Sequence, residues 1–326
     1  QLLRTIDVGP KVQAVALSPN GKLVAASFGT RALTIWDTST GKPKRRLKGH
    51  RAQILCLDFA PNGQMLASSG ADNLVKLWDV SQFELVNTLV GHTNYVNSLT
   101  FAPDSATLIS GGRDYSIKFW SVDREHTEDV LTGHEAAVRS VAFSLDGNTI
   151  ASAGEDQTIR IVDAATGHLQ RTLRGHKDKV RAVAFAPGTR LLASAGDDET
   201  VMLWDLDDDK APRPLRGHQG PVTCIAFSHD GKQLASAGSD RTVRVWDVRT
   251  GAANVLEGQT DESLTVDFSP DDTTLAAAGH CHSIMLWDVR TGQLKSSIPR
   301  NNGIRSVVFS PDGKMIASGG SGAVVN

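Results

Sequence analysis

The sequence predicts an all-β protein built from repeated four-stranded antiparallel units, and three observations carry that prediction. Gly-His pairs stand at Gly49-His50, Gly91-His92, Gly133-His134, Gly175-His176 and Gly217-His218, each 42 residues after the last. Trp-Asp pairs stand at Trp36, Trp78, Trp204, Trp246 and Trp287, with Trp120-Ser121 and Val162-Asp163 in the same register and the last step one residue shorter. Between these markers apolar residues follow the strand period, broken by Gly, Pro, Asn and Asp turns, and no stretch has helical spacing.

The second unit shows each element in order. Ile54 to Phe59 alternates as a strand, Pro61-Asn62-Gly63 turns, and Met65 to Ser69 is a second strand. Gly70 to Asn73 turns again, Val75 to Val80 is a third strand, and Leu85 to Leu89 is a fourth. First strands such as the one holding Val138, Val141 and Phe143 are apolar on both sides, so each sheet must be covered on both faces by neighbours. The aligned series Phe59, Phe101, Phe143, Phe185, Phe227, Phe268 and Phe309 is then core. A second aligned series is small throughout: Ala14, Cys56, Ser98, Ser140, Ala182, Cys224, Thr265 and Ser306. Small residues fit where innermost strands converge on an axis, and this reads Cys56 and Cys224 as choices of size.

These residues in this register resemble the WD40-repeat β-propeller family, in particular bacterial-type arrays of uniform units with Ser-Pro-Asp-Gly turns, as at 310–313. The resemblance implies a single propeller over residues 1–326, with units at 12–48, 54–90, 96–132, 138–174, 180–216, 222–257 and 263–298. A split unit of 304–326 plus 2–7 would close the ring as an eighth blade. Seven blades is the alternative. The family pattern also implies buried structural tetrads: His50, Ser68, Asp72, Trp78; His92, Ser110, Asp114, Trp120; His176, Ser194, Asp198, Trp204; and His218, Ser236, Asp240, Trp246. The fourth unit keeps His134, Ser152 and Asp156 but has Val162 for Trp. A Ser, His and Asp recurring at every blade favours structure over a hydrolytic triad, which is needed once and in a cleft.

Composition bounds the function. Lys and Arg total 34 against 36 Asp and Glu, a net charge of −2, which gives no global field to attract nucleic acid or an anionic membrane. No uncharged apolar run is long enough for a helix to span a bilayer. Three cysteines, Cys56, Cys224 and Cys281, are too few for a disulfide framework, so a cytoplasmic location is expected. Neither a phosphate loop nor a nucleophile elbow is present, and no cofactor is expected. His280, Cys281 and His282 are adjacent on a turn, an arrangement that rarely converges on one ion, so no metal is expected either.

The resemblance therefore implies a non-catalytic scaffold or sensor, the WD40 part of a larger multidomain protein, which binds a protein or peptide on its loop face. A propeller enzyme with a site at the channel mouth is the alternative, and it would need acid, base or metal groups converging from several blades. Residues that vary between units where the fold dictates nothing are the candidates for contact: Tyr95, Asn97, Arg113, Arg139, Lys179, Arg181, Leu264 and Arg305. Arg113, Arg139, Lys179 and Arg181 form a basic arc over three consecutive units beside Tyr95, suited to an acidic or phosphorylated segment. Glu155 and Asp197 are placed to neutralise the same cations, and sequence alone leaves both readings open.

Overall fold

The computed structural model describes residues 6–7, 12–28, 31–122, 128–131, 133–208, 210–300, 303–320 and 324–325. Every regular element among them is a strand. Seven four-stranded antiparallel sheets follow one another along the chain, each a meander of adjacent strands. Their first strands are Val12–Leu17, Ile54–Phe59, Val96–Phe101, Val138–Phe143, Val180–Phe185, Val222–Phe227 and Ser263–Phe268, and the sheets are called blades 1 to 7 in that order. A hairpin of Ile304–Phe309 and Ile316–Gly320 follows blade 7.

The first strands pack side by side in chain order, and the hairpin touches both blade 7 and the first strand of blade 1, closing a ring. At Gly319 the hairpin lies so close to Val12 and Val15 of blade 1 that any Cβ there would collide with them. Each blade thus buries both faces, as the doubly apolar strands require. One packing cluster joins Leu33 and Ile35 of blade 1 to Ile54, Leu66 and Trp78 of blade 2. Another joins Val243 and Leu256 of blade 6 to Phe268 and Trp287 of blade 7. The aligned phenylalanines belong to these layers; Phe59, Phe101 and Phe268 are fully buried.

The count of blades corrects the expectation of eight. Seven sheets have four strands, whereas the strands assigned to the split unit fall into two separate two-stranded sheets, the hairpin and the pair Ile6–Asp7 with Val324–Val325. Among the described residues no hydrogen-bonded ladder joins the two pairs into one four-stranded sheet, although Ile316–Gly320 lies beside Val324–Val325. Residues 2–5, 321–323 and 326 of that unit lie outside the described residues.

Candidate functional site: the rim of bulged first strands

A β-bulge near the start of every first strand organises one rim of the ring. In each blade and in the hairpin, pairing with the second strand skips one residue: Gln13, Leu55, Asn97, Arg139, Arg181, Thr223, Leu264 and Arg305. A skipped residue is released from the pleat and its side chain is re-aimed, which frees its identity from the demands of packing. This is the physical reason that these positions vary while their neighbours do not.

A second feature brings the turn after the second strand against the same rim. In six blades the N–H of the turn residue donates to the carbonyl of the residue just before the first strand: Ala71 to Gln53, Arg113 to Tyr95, Glu155 to Ala137, Asp197 to Lys179, Ser239 to Pro221 and His280 to Glu262, all at 2.8–2.9 Å. The approach needs glycine at the end of the second strand. A Cβ on Gly70 would stand 2.7 Å from the Gln53 carbonyl, and one on Gly196 2.7 Å from that of Lys179.

Below the rim, buried hydrogen-bond chains pin the turns of blades 2, 3, 5 and 6. In blade 2 the Trp78 indole N–H donates to Ser68 Oγ at 2.8 Å, the Ser68 hydroxyl meets His50 Nε2 at 2.8 Å, and His50 Nδ1 meets the Asp72 carboxylate at 2.9 Å. Only the neutral ring protonated on Nδ1 gives every donor an acceptor along this path. Asp72 also accepts the Arg51 backbone N–H at 2.7 Å. Equivalent chains run through Trp120, Ser110, His92 and Asp114, through Trp204, Ser194, His176 and Asp198, and through Trp246, Ser236, His218 and Asp240. Burial works to raise these aspartates, but hydrogen bonds and the facing imidazole outweigh it and hold Asp72, Asp114, Asp198 and Asp240 below the usual carboxylate range. Burial also lowers His218 in spite of Asp240, which keeps the ring neutral. The four serines are 0% exposed, so no substrate can reach a Ser-His-Asp relay here.

Three blades depart from the pattern, and blade 1 has Ala26 where blade 2 has Ser68. In blade 4, His134 bonds Ser152 and Asp156 at 2.8 Å, but the buried Val162 offers Ser152 no indole donor. Val162→Trp is expected to raise the melting temperature by a few degrees, since about 1 kcal/mol of hydrogen bonding is added. A clear fall in a calorimetric scan would show that the site cannot take the ring. In blade 7 the His, Ser and Asp positions hold Gln259, Ala277 and Cys281, and the Trp287 indole turns to the Glu257 carbonyl at 3.1 Å. The Gln259 carboxamide and Ser263 Oγ are buried there without hydrogen-bond partners. Cys281 bonds the Ser283 carbonyl at 3.4 Å, and among the described residues no three His, Cys, Asp or Glu converge to hold a metal.

The candidate contact residues fall into three groups. Arg113 lies over the exposed Tyr95 ring, 5.3 Å from its centre, and the rim of blade 3 also carries Tyr115, 50% exposed with φ 68° in the left-handed region that aromatic residues rarely adopt. Arg139 and Lys179 share a single carboxylate, with Arg139 Nε 2.5 Å from Glu155 Oε1 and Lys179 Nζ 3.5 Å from Oε2. Burial works against the Glu155 charge, but the Arg139 bond and the two cations hold its carboxyl below the usual range. Arg181 is neutralised by both oxygens of Asp197. Asn97 is turned inward, donating to the Val138 carbonyl of blade 4 at 2.9 Å. The half-buried Leu264 and exposed Arg305 sit on blade 7 and the hairpin, separated from the basic arc by blade 6 on one side and blades 1 and 2 on the other.

Three residues escape the sequence reading. Tyr115 escapes because it follows the turn aspartate Asp114, outside the positions compared between units, although both tyrosines of the chain flank Arg113. Asp58 and Asp267 escaped because inner strands read as small and neutral, with Ala16, Ala142, Ala184 and Ala226 at the same position. Each lies against the next inner strand, Asp58 accepting the Phe101 N–H at 2.9 Å and Asp267 that of Phe309 at 2.7 Å. Burial pushes both carboxyls up to about 6. They stand on blades 2 and 7, with blade 1 and the hairpin between them, so they do not pair as acid and base. The thiols of Cys56 and Cys224 are raised by burial, Cys56 to about 11, which makes them poor nucleophiles.

A closed ring of meander blades, four of them pinned by a complete buried polar chain and all bulged at one rim, defines a repeat propeller. The family model described as WD domain, G-beta repeat matches residues 41–79, 83–121, 126–163, 167–205, 210–247, 252–288 and 292–325, and the chain belongs to that family. Each of the first six matched segments begins with the outer strand of one sheet and ends at the Trp-Asp position, or its equivalent, of the next, and the seventh runs from the outer strand of blade 7 to Val325. Among curated proteins no match is found. Propellers of this family are in general protein-interaction scaffolds and not enzymes.

Proposed function

We propose that the chain is a non-catalytic interaction module of a larger cytoplasmic protein, and that it captures a protein or peptide on the bulged rim. The single observation that carries the reading is the bulge, which places a variable residue near the start of every first strand on one rim of an otherwise repetitive body. The seat is the arc from Tyr95 to Lys179 on blades 3 to 5, and its occupant is an acidic or phosphorylated segment. Arg113 has no carboxylate partner among the described residues, and Arg139 and Lys179 have one between them, so positive charge is left over. Tyr95 and Tyr115 add exposed aromatic surface, the residue type that dominates binding hot spots. Arg181 contributes little because Asp197 already satisfies it. The three free thiols support a reducing compartment.

The test is binding to an array of acidic and phosphorylated peptides. Arg113→Glu with Lys179→Glu is expected to weaken every bound peptide tenfold or more, and added salt to do the same to the wild type, whereas Arg181→Glu acts less strongly. Equal binding by the double variant would overturn the reading.

A further inference from the structure

The outer strand of blade 2, Glu84–Val90, breaks a rule that the other outer strands keep. An outer strand is an open edge, and proteins blunt such edges with charge, proline or short length. Blade 1 does so with Lys44, Arg45, Arg46 and Lys48, blade 4 with Arg171 and Arg174, and blade 7 with Lys295 and Pro299. The outer strands of blades 5 and 6 are only three and four residues long. Glu84–Val90 has seven residues, the longest strand among the described residues, and its one charge is its first residue.

The departure is sharpest at the outer-strand bulge. Pairing with the third strand skips one residue in blades 1, 4 and 7, where that residue is Lys44, Gln170 or Lys295. Each reaches back at 3.3 Å to the aspartate of its own Trp-Asp position or the equivalent: Asp37, Asp163 and Asp288. In blade 2 the skipped residue is Val86, 56% exposed, and the aspartate it could have served, Asp79, bonds only its own turn at Ser81 and Gln82. Val90, 69% exposed, likewise stands where blades 1 and 4 place Lys48 and Arg174. Val86 and Val90 are therefore exposed apolar positions where blades 1 and 4 carry polar or charged ones, and Thr88 between them accepts a hydrogen bond from the Lys76 ammonium at 2.7 Å.

We infer that this edge is a self-association surface, on which the outer strand of blade 2 pairs antiparallel with the same strand of a second copy of the chain. A two-fold pairing centred on Asn87 sets Val86 against Thr88, Leu85 against Leu89 and Glu84 against Val90, so no like charges of the two strands stand opposite each other. The same operation on the outer strand of blade 1 sets Arg45 against Arg46, so that edge repels itself. The contact lies on the outer wall, away from the rim, and a dimer made there would carry two rims for one partner chain.

The test is sedimentation equilibrium and light scattering on the whole chain from about 1 to about 200 µM, a range set by the small area of one strand pair. The wild type is expected to pass from monomer to dimer across it. Val86→Lys gives blade 2 the residue type that blades 1 and 7 already hold, within reach of Asp79, so it should fold with an undiminished melting temperature. It is expected to shift the dimer dissociation constant upward tenfold or more, as is Val90→Lys. A wild type that stays monomeric throughout, or a dimer that both folded variants leave unchanged, overturns the inference.

Discussion

Trp78→Ala is expected to lower the stability of the protein by about 3–5 kcal/mol, as a large cavity opens between blades 1 and 2. The ring is 2% exposed and packs with Ile54 and Leu66, and its N–H is the donor to Ser68. Trp78→Phe separates the two contributions. It keeps most of the apolar volume and removes the donor, so about 1–2 kcal/mol should be lost, from a hydroxyl buried at 0% exposure with one fewer partner. Urea denaturation of the two variants measures both. A loss below about 1 kcal/mol for the alanine variant would mean that the blade interface collapses around the gap, contrary to the packing described.

Stability should pass through a maximum in mildly acidic solution. Asp58 and Asp267 titrate at about 6 in the folded protein and near 3.9 when unfolded, so between those values the folded state holds protons that the unfolded state has lost. Stability therefore rises as pH falls from 8 through 6 toward 4, on the order of 2 kcal/mol for each carboxyl. The tetrad aspartates act in the opposite sense. Their folded values lie below the unfolded one, so the stability they supply is present at neutral pH and is lost as pH falls through 4 and below. Asp58→Asn with Asp267→Asn keeps an oxygen for the Phe101 and Phe309 N–H groups and removes the charge. The double variant should be more stable than wild type by a few kcal/mol at pH 8 and nearly flat from pH 8 to 5. A wild-type profile already flat over that interval would refute the assignment.

Much of this molecule is legible in its sequence because each unit repeats the same solution to the same packing problem. The family resemblance implies His50, Ser68, Asp72 and Trp78 as one set and the 42-residue register repeats it in three further units, and hydrogen bonds run through these sets in the folded ring. The rim was legible only in part. Arg113 and Arg181 look alike in a variable column, but one lies over a tyrosine ring and the other is locked to Asp197. Asn97 shares that column and is spent on joining two blades. Such differences depend on which side chain of the next blade stands a few ångströms away, and a neighbour across an interface leaves no mark in the local pattern.

The sequence by itself determined the unit, its four strands, its buried residues and its membership of a repeat family, because burial on both faces and a 42-residue register constrain residue types strongly. The tertiary structure decided the rest: seven four-stranded blades with a hairpin between the last and the first, the bulges that set variable residues along one rim, the carboxyls raised between inner strands, and an outer edge on blade 2 guarded by no lysine, arginine or proline. Each of these arises where strands distant in the chain meet, and there geometry rather than residue type sets charge, pairing and exposure.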